Sequence, residues 1–208
     1  MKAHLAVLGL FFASSVASAA LIEKTVELSS PAVKPEQTMW LGLDFSTGKI
    51  IENVKWNDPK SPKWDIRSAA SYFATNRAKV WFLNTRAFET VKEAPSNANY
   101  ETDSEFDPDG LFGPRKKGFY NKPLTECCNY DMLAGHLRVP KPHVMVIQTA
   151  DNHFAKLQVV QYVRKGKGAK MSHDEDGEIF QDSRGDDGKT HVLIRYKYNT
   201  VAGDRKLE

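Results

Sequence analysis

The sequence has little cysteine. Its only two cysteines in 208 residues are the neighbours Cys127 and Cys128, which excludes the disulfide framework of a small secreted domain. Normal disulfides join α-carbons about 5.5 Å apart, whereas neighbours across a trans peptide are about 3.8 Å apart, so a bridge between this pair is strained. Three alternatives stay open: a vicinal bridge that stiffens a loop, which we favour, bridges to other chains, or two free thiols.

An excess of one charge is also missing. The chain has 29 Lys and Arg against 26 Asp and Glu, a formal net charge of +3. Proteins that track phosphates normally show a concentrated basic surplus, so no nucleic-acid partner is predicted. Hydrophobic residues make up 41% and charged residues 26% of the chain. These values are close to the average for soluble globular proteins and allow one well-packed domain.

No apolar run is long enough to cross a membrane. The longest, residues 5–13, covers about half of the ~20 residues that a spanning helix needs. Lys2 precedes this run, and Ala17-Ser18-Ala19 follows it, an order typical of a cleaved secretory signal peptide rather than of a core helix. We expect cleavage after Ala19 and a soluble product. No lipidation cysteine lies at the cleavage site, which favours a periplasmic or secreted form.

Motifs of common enzymes are missing as well. The chain has no G-x-S-x-G, no H-E-x-x-H, no phosphate-binding loop and no G-x-G-x-x-G after a strand. We therefore do not expect an enzyme.

What is present is a repeated pattern of strands and turns. After the signal peptide (1–19), an extended lead-in with Pro and Ser covers 20–37, and a single β domain is predicted over 38–208. Short apolar runs rich in Val, Ile and aromatic residues, separated by Gly, Pro, Asn or Asp, predict strands. The predicted strands are 40–45 and 50–54 around a turn at 46–49, then 79–83, 143–149, 154–163 and 191–199.

Two segments do not follow this pattern. Residues 94–121 form a long loop with many Pro and Gly residues, and its scattered aromatic side chains indicate a loop that packs on something. Residues 165–189 are Gly-rich and densely charged, which predicts a solvated, mobile loop.

Imidazole and thioether groups are concentrated in the second half of the chain. These are the ligand types that suit haem iron. Most single histidines lie at a surface or strand edge, and strand alternation makes Met145 a core candidate. The residues of this set are Tyr130, Met132, His136, His143, Met145, His153, Met171, His173 and His191.

The order and spacing of several motifs resemble HmuY-like haem-binding proteins over about residues 38–200. The motifs are Trp40 to Lys49, Lys63 to Ile66, Ala74 to Asn76, Phe88 to Pro95 with Tyr100 and Asp103, Asn129 to Asp131, His136 to Pro140, Val144 to Asp151 and Phe154 to Gln158. This resemblance implies an all-β, sandwich-like fold of two antiparallel sheets, with little helix and with long loops at one end. It also implies non-covalent binding of haem b between axial side chains.

Relatives of this kind act as haem carriers that pass haem to a TonB-dependent outer-membrane receptor. The chain departs from them in lacking a lipidation cysteine and in carrying Cys127 and Cys128.

The candidate site combines residues from two predicted turns and the long loop. Tyr130, Met132 and His136 lie on a predicted hairpin with Gly135 near its bend, and His153 lies in the next turn. We predict His136 and His153 as the ligands of the metal, with Met132 and Met171 in reserve. Phe112, Phe119 and Tyr120 are predicted to cover the porphyrin.

An alternative function keeps the fold without the iron site. An exported β-sandwich can bind a protein or glycan through its loops, and Asn99, Tyr100 and Asp103 offer suitable groups.

Overall fold

The structure is a computed structural model, whose strands are numbered along the chain. It describes residues 20–31, 40–55, 64–69, 72–83, 85–106, 118–120, 124, 130–131, 136–139, 142–163, 171–173, 179–182 and 189–208. The predicted signal peptide, the cysteine pair, Phe112, Met132 and Gly135 lie outside these residues.

The largest sheet has five antiparallel strands, which we call the main sheet. In spatial order they are β1 (Leu21–Pro31), β15 (Lys189–Asn199), β12 (Phe154–Val163), β11 (Val144–Gln148) and β6 (Lys79–Leu83). β15 alternates as its sequence predicts, because Val192, Ile194, Tyr196 and Tyr198 are buried and Leu193 is half-buried. Asn152, with a φ of 65°, lies in the predicted turn between β11 and β12.

A second sheet of four antiparallel strands carries the first motifs of the sequence. Its spatial order is β3 (Ile50–Val54), β2 (Trp40–Leu43), β4 (Ile66–Ala69) and β5 (Tyr72–Thr75). Gly48 has a φ of 71° in the turn that joins β2 to β3. Glycine adopts this left-handed conformation without the steric cost of a side chain, so the predicted hairpin is confirmed.

The central core lies between these two sheets. Buried side chains from both contribute to one hydrophobic cluster, including Leu43 and Phe73 of the second sheet and Met145, Leu157 and Tyr196 of the main sheet. This confirms the predicted all-β fold of two antiparallel sheets. It also places Met145 in the core, as strand alternation indicated.

β1 lies within the segment interpreted as a lead-in. It pairs with β15 over 11 residues, from Leu21 opposite Asn199 to Pro31 opposite Lys189. Leu28 is 1% exposed and packs in the central core. Residues 21–31 are therefore extended and form part of the sandwich.

Two smaller sheets include strands from both segments that were expected to be loops, residues 94–121 and 165–189. One has the order β13 (Met171–His173), β14 (Ile179–Asp182), β10 (His136–Val139) and β9 (Tyr130–Asp131), and the other pairs β7 (Ser104–Phe106) with β8 (Gly118–Tyr120). The prediction of a loop over 165–189 was wrong for β13 and β14. Pairing with β10 stabilises a charged hairpin whose composition alone favours solvent.

A further layer covers the outer face of the main sheet. A short 3-10 helix (Phe88–Thr90) and the C-terminal residues pack there, with Phe88, Val146, Phe154 and Leu207 in one buried cluster. No helix in the described residues has the length and apolar character needed to cross a membrane.

Candidate functional site

The sandwich has two ends that differ in chemistry. We call the β11–β12 turn, residues 149–153, the turn end. We call the opposite end, where β12 stops at Val163 opposite His191 of β15, the hairpin end. At about 3.3 Å per residue, β12 separates the two ends by roughly 30 Å.

The hairpin end carries most of the predicted ligands. β9 and β10 form the predicted hairpin, with Asp131 opposite His136 at the end of the strands next to residues 132–135. The β13–β14 hairpin inserts in the chain between β12 and β15 and pairs with β10, placing Asp182 opposite His136. Met171 lies in β13, so His136 and Met171 are two strands apart in the same sheet.

His173, one of the imidazole residues noted in the sequence, lies in the same small sheet. It lies in β13 opposite Ile179, which in turn is opposite Val139 of β10. The expectation of a solvated loop over 165–189 obscured this residue, although its imidazole was a signal in the sequence. The structure thus joins His136, Met171 and His173 in one small sheet.

His153 lies at the turn end and is held in one orientation. Its Nδ1 is 3.0 Å from the carbonyl oxygen of Asn199. Because a carbonyl only accepts, Nδ1 carries the proton and donates, as in metal sites where a second partner orients the ring. Nε2 lies 3.6 Å from Asp151 Oδ2, and the ring stacks on Tyr198 at 5.3 Å.

The two predicted metal ligands lie in different elements, His136 in β10 of the small four-stranded sheet and His153 in the β11–β12 turn of the main sheet. β10 leads through residues 140–143 into the start of β11, whereas His153 follows the end of β11. His136 and His153 thus approach β11 from opposite ends.

The turn end also contains a half-buried carboxyl group. Burial raises the pKa of Asp65 to about 6, a hydrogen bond from the backbone N–H of Phe45 opposes this change, and the nearby charges of Asp44 and Asp151 add to it. Burial would also raise the pKa of Asp44, but hydrogen bonds from Ser46 and Thr47 lower it below its ordinary value.

Two other histidines have structural contacts. His143 is fully buried, and its Nε2 accepts a hydrogen bond from the Val159 N–H at 3.3 Å. His191 is 3% exposed, and its Nδ1 lies 2.6 Å from Ser29 Oγ and 2.9 Å from Glu27 Oε1. Both partners meet the same ring nitrogen, so this trio is not a Ser-His-acid relay, which uses both nitrogens.

The predicted porphyrin-covering residues Phe119 and Tyr120 lie in β8. This strand pairs with β7 and lies against β5, at one edge of the second sheet. Asp103, which precedes β7, accepts hydrogen bonds from both the N–H and the hydroxyl of Thr75, each at 2.8 Å. This contact ties the start of β7 to the end of β5.

The residues of the glycan alternative are largely engaged within the protein. The carboxylate of Asp103 binds Thr75. The hydroxyl of Tyr100 donates to the Pro95 carbonyl at 3.3 Å, and its ring lies 6.5 Å from that of Trp81. These contacts give a sugar-binding role of Tyr100 and Asp103 little support.

The small sheet at the hairpin end contains imidazole-bearing and thioether-bearing residues. Among the described residues, no three His, Cys, Asp or Glu side chains are grouped so that they could hold a metal ion. Haem supplies four equatorial nitrogens itself, so the protein has to supply axial imidazole or thioether groups only. His136, Met171 and His173 belong to these two classes.

Comparison with solved structures shows the same fold in proteins of distant sequence. The apo HmuY analogue of Tannerella forsythia is 15% identical, with a TM-score of 0.58 and coverage of 88% of this chain and 98% of that one. Apo PinO from Porphyromonas gingivitis is 13% identical, with a TM-score of 0.54 and coverage of 86% and 100%. No curated protein sequence matches the chain. Residues 36–174, about two thirds of the chain, match the model of the family described as HmuY protein, and the chain therefore belongs to the HmuY family.

Proposed function

We propose that this protein is an exported carrier that binds haem b non-covalently at the hairpin end. The observation that carries the proposal is the presence of His136, Met171 and His173 in one four-stranded sheet of a chain that belongs to the HmuY family. Resemblance to HmuY-like proteins had implied haem, and the sheet offers ligands of the required chemistry.

His136 is the first ligand in this proposal. It is the first residue of β10, which pairs with β9 on one side and with β14 on the other. The second ligand comes from β13, as the Met171 thioether or the His173 imidazole. A thioether ligand raises the reduction potential of haem iron relative to a second imidazole, so the choice has a measurable consequence.

The other predicted site residues have secondary roles in the proposed binding of haem. Tyr130 lies in β9 and pairs with Leu137, the residue that follows His136 in β10. Phe119 and Tyr120 supply aromatic surface from β8, and Met132 remains a reserve ligand outside the described residues. The haem itself supplies the iron and the apolar ring, and these chain residues bind and orient it.

A haemin titration of the purified mature protein tests this proposal. We expect the wild type to give a sharpened Soret band and the His136→Ala variant to lose it. His153→Ala is the matched control, since its imidazole lies at the turn end and the band should persist. Loss of the band in both single variants would instead support the His136–His153 pair predicted from the sequence. A wild type without the band would refute haem binding.

Variants of β13 separate the two choices for the second ligand. If Met171 is the ligand, Met171→Ala should change the spectrum and lower the reduction potential, while His173→Ala should do neither. The reverse result would assign His173. If neither variant changes the spectrum or the potential, the second ligand does not come from β13.

Export and transfer complete the proposed role. We propose cleavage after Ala19, a periplasmic or secreted product, and delivery of haem to a TonB-dependent outer-membrane receptor. N-terminal sequencing of the exported protein should begin at Ala20, and mixing the haem-loaded protein with the purified receptor should move the Soret absorbance to the receptor.

A further inference from the structure

The strand that carries His136 is joined to the main sheet by a short segment that ends at His143. β10 stops at Val139, and β11 begins at Val144. His143, the last residue before β11, is fully buried, and its ring lies 6.3 Å from that of Phe82 in β6. This histidine therefore lies where the chain passes from the small four-stranded sheet into the main sheet.

The imidazole of His143 binds the backbone of β12. The Val159 N–H donates to Nε2 of His143 at 3.3 Å in a buried hydrogen bond. A neutral imidazole accepts through one nitrogen and carries its proton on the other, so Nδ1 holds the ring proton. Because the Val159 N–H occupies Nε2, neither ring nitrogen is available to iron. This contact distinguishes His143 from the candidate axial ligands of the small sheet.

Val159 lies where β12 changes its register. The ladder between β11 and β12 ends at the pair of Met145 and Leu157. Two positions further in the same register, His143 is opposite Val159. The pairing of β12 with β15 shifts between Val159 and Gln161, as at a β-bulge. Bulges bend a strand and redirect the residues that follow, and the imidazole supplies an acceptor where the β11 ladder has ended.

β12 is also in contact with the small sheet. Two strands of that sheet, β10 and β14, contact it. β10 carries His136 at its start and leads through residues 140–142 to His143. His143 therefore connects the chain that leaves β10 to the strand of the main sheet that β10 contacts.

We propose that His143 is a positioning residue for the haem site: its hydrogen bond with the Val159 N–H holds β10 against β12 and so fixes the place of His136. This inference rests on the proposed function, since His136 matters here as a ligand of haem. A ligand that is held in place before binding loses less conformational freedom when haem enters. Loss of the contact should weaken haem binding without changing the ligands of the iron.

Two substitutions of His143 separate the hydrogen bond from packing. His143→Leu fills the buried position without an acceptor, and His143→Gln keeps an oxygen that accepts from the Val159 N–H. In a haemin titration, His143→Leu should raise the Kd about tenfold, as expected when a group that orients a metal ligand is lost. The Soret band should keep its wild-type position, and His143→Gln should restore most of the affinity. A wild-type Kd in His143→Leu, or loss of the band as in His136→Ala, would overturn the proposal.

Val54→Ala is the control for a loss of stability alone. Val54 of β3 is buried in a separate cluster of the second sheet, so this variant should be less stable but should bind haemin with the wild-type Kd. An equal rise in Kd in Val54→Ala and His143→Leu would show that stability, and not position, controls the affinity.

Hydrogen exchange of the full chain without haem tests the contact separately. His143→Leu should speed exchange of the Val159 amide and of the β10 amides relative to the amides of β1, and Val54→Ala should not. Unchanged protection of β10 in a protein with an intact Soret band would refute the positioning role alone. A wild type without a Soret band would refute the proposed function.

A nitrogen-15 NMR spectrum of the wild type does not depend on the folding of any variant. It should show the His143 proton on Nδ1 and an unprotonated Nε2, both without haemin and with haemin bound. A proton on Nε2, or coordination of Nε2 to iron, would overturn the proposal.

Discussion

At the scale of single residues, the outer face of the main sheet contains a buried lysine. Lys156 is 2% exposed, and its Nζ donates to the carbonyls of Phe88 at 2.9 Å and Val91 at 2.8 Å. Burial lowers the pKa of Lys156 to about 8. The ammonium group also lies 4.6 Å from the centre of the Phe88 ring. The Lys156 side chain therefore connects the 3-10 helix to the main sheet.

The Lys156→Met variant removes the ammonium group at nearly constant volume. It leaves the carbonyls of Phe88 and Val91 without their donor, so the free energy of unfolding should fall by about 1–3 kcal/mol. Urea unfolding at pH 7 measures the change. The control is Lys197→Met, the register partner of Lys156, whose partly exposed ion pair with Glu23 should contribute about 1 kcal/mol or less. Equal losses in the two variants would contradict the structural role of Lys156.

The sequence did not reveal this buried lysine. Lysine is mostly exposed in folded proteins, so no pattern in the sequence predicted the burial of Lys156. Its burial arises from contacts with Phe88 and Val91, which lie 68 and 65 residues away along the chain. In contrast, the left-handed φ of Gly48 could be predicted, because turn chemistry is local.

At the scale of elements, the C-terminal residues act as an additional strand-like segment. The Leu207 N–H donates to the Lys92 carbonyl and the Ala94 N–H donates to the Arg205 carbonyl, both at 2.8 Å. Leu207 is fully buried against the outer face of the main sheet. The sequence does not predict this segment, since a single buried leucine among polar residues shows no strand periodicity.

The Leu207→Ala variant tests how much this segment stabilises the sheet. Removal of a fully buried leucine side chain should lower the free energy of unfolding by about 2–5 kcal/mol. Thermal and urea unfolding measure the loss. Lys206→Ala is the matched control, since the exposed neighbour should change stability by about 0.5 kcal/mol or less. A Leu207→Ala protein as stable as this control would show that the segment does not pack in solution.

Local sequence patterns explain which of the strands could be predicted. β6, β11, β12 and β15 alternate or contain apolar runs, and their predicted and observed limits agree closely. β13 and β14 are only three and four residues long, and β14 pairs with both β13 and β10. Local composition cannot indicate a pairing partner that lies more than 30 residues earlier in the chain.

At the scale of the whole molecule, haem binding should couple to stability. A ligand that binds only the folded state adds about 2.7 kcal/mol to the free energy of unfolding at 100 times its Kd. For a chain of this length, that corresponds to a rise in Tm of about 5–10 °C. Calorimetry of the wild type with and without haemin measures it. His136→Ala should lose the rise and His153→Ala should keep it. A full rise in His136→Ala would contradict the proposed ligand.

The sequence by itself determined the strand-rich fold, the two central hairpins and the family resemblance. These depend on side-chain alternation, turn residues and the order of motifs, which are local or linear properties. The tertiary structure decided the rest. It placed His136, Met171 and His173 in one small sheet, placed His153 in a turn of the main sheet, and buried Lys156. Distance and burial arise from contacts between residues far apart in the chain, and only the packed sheets bring those residues together.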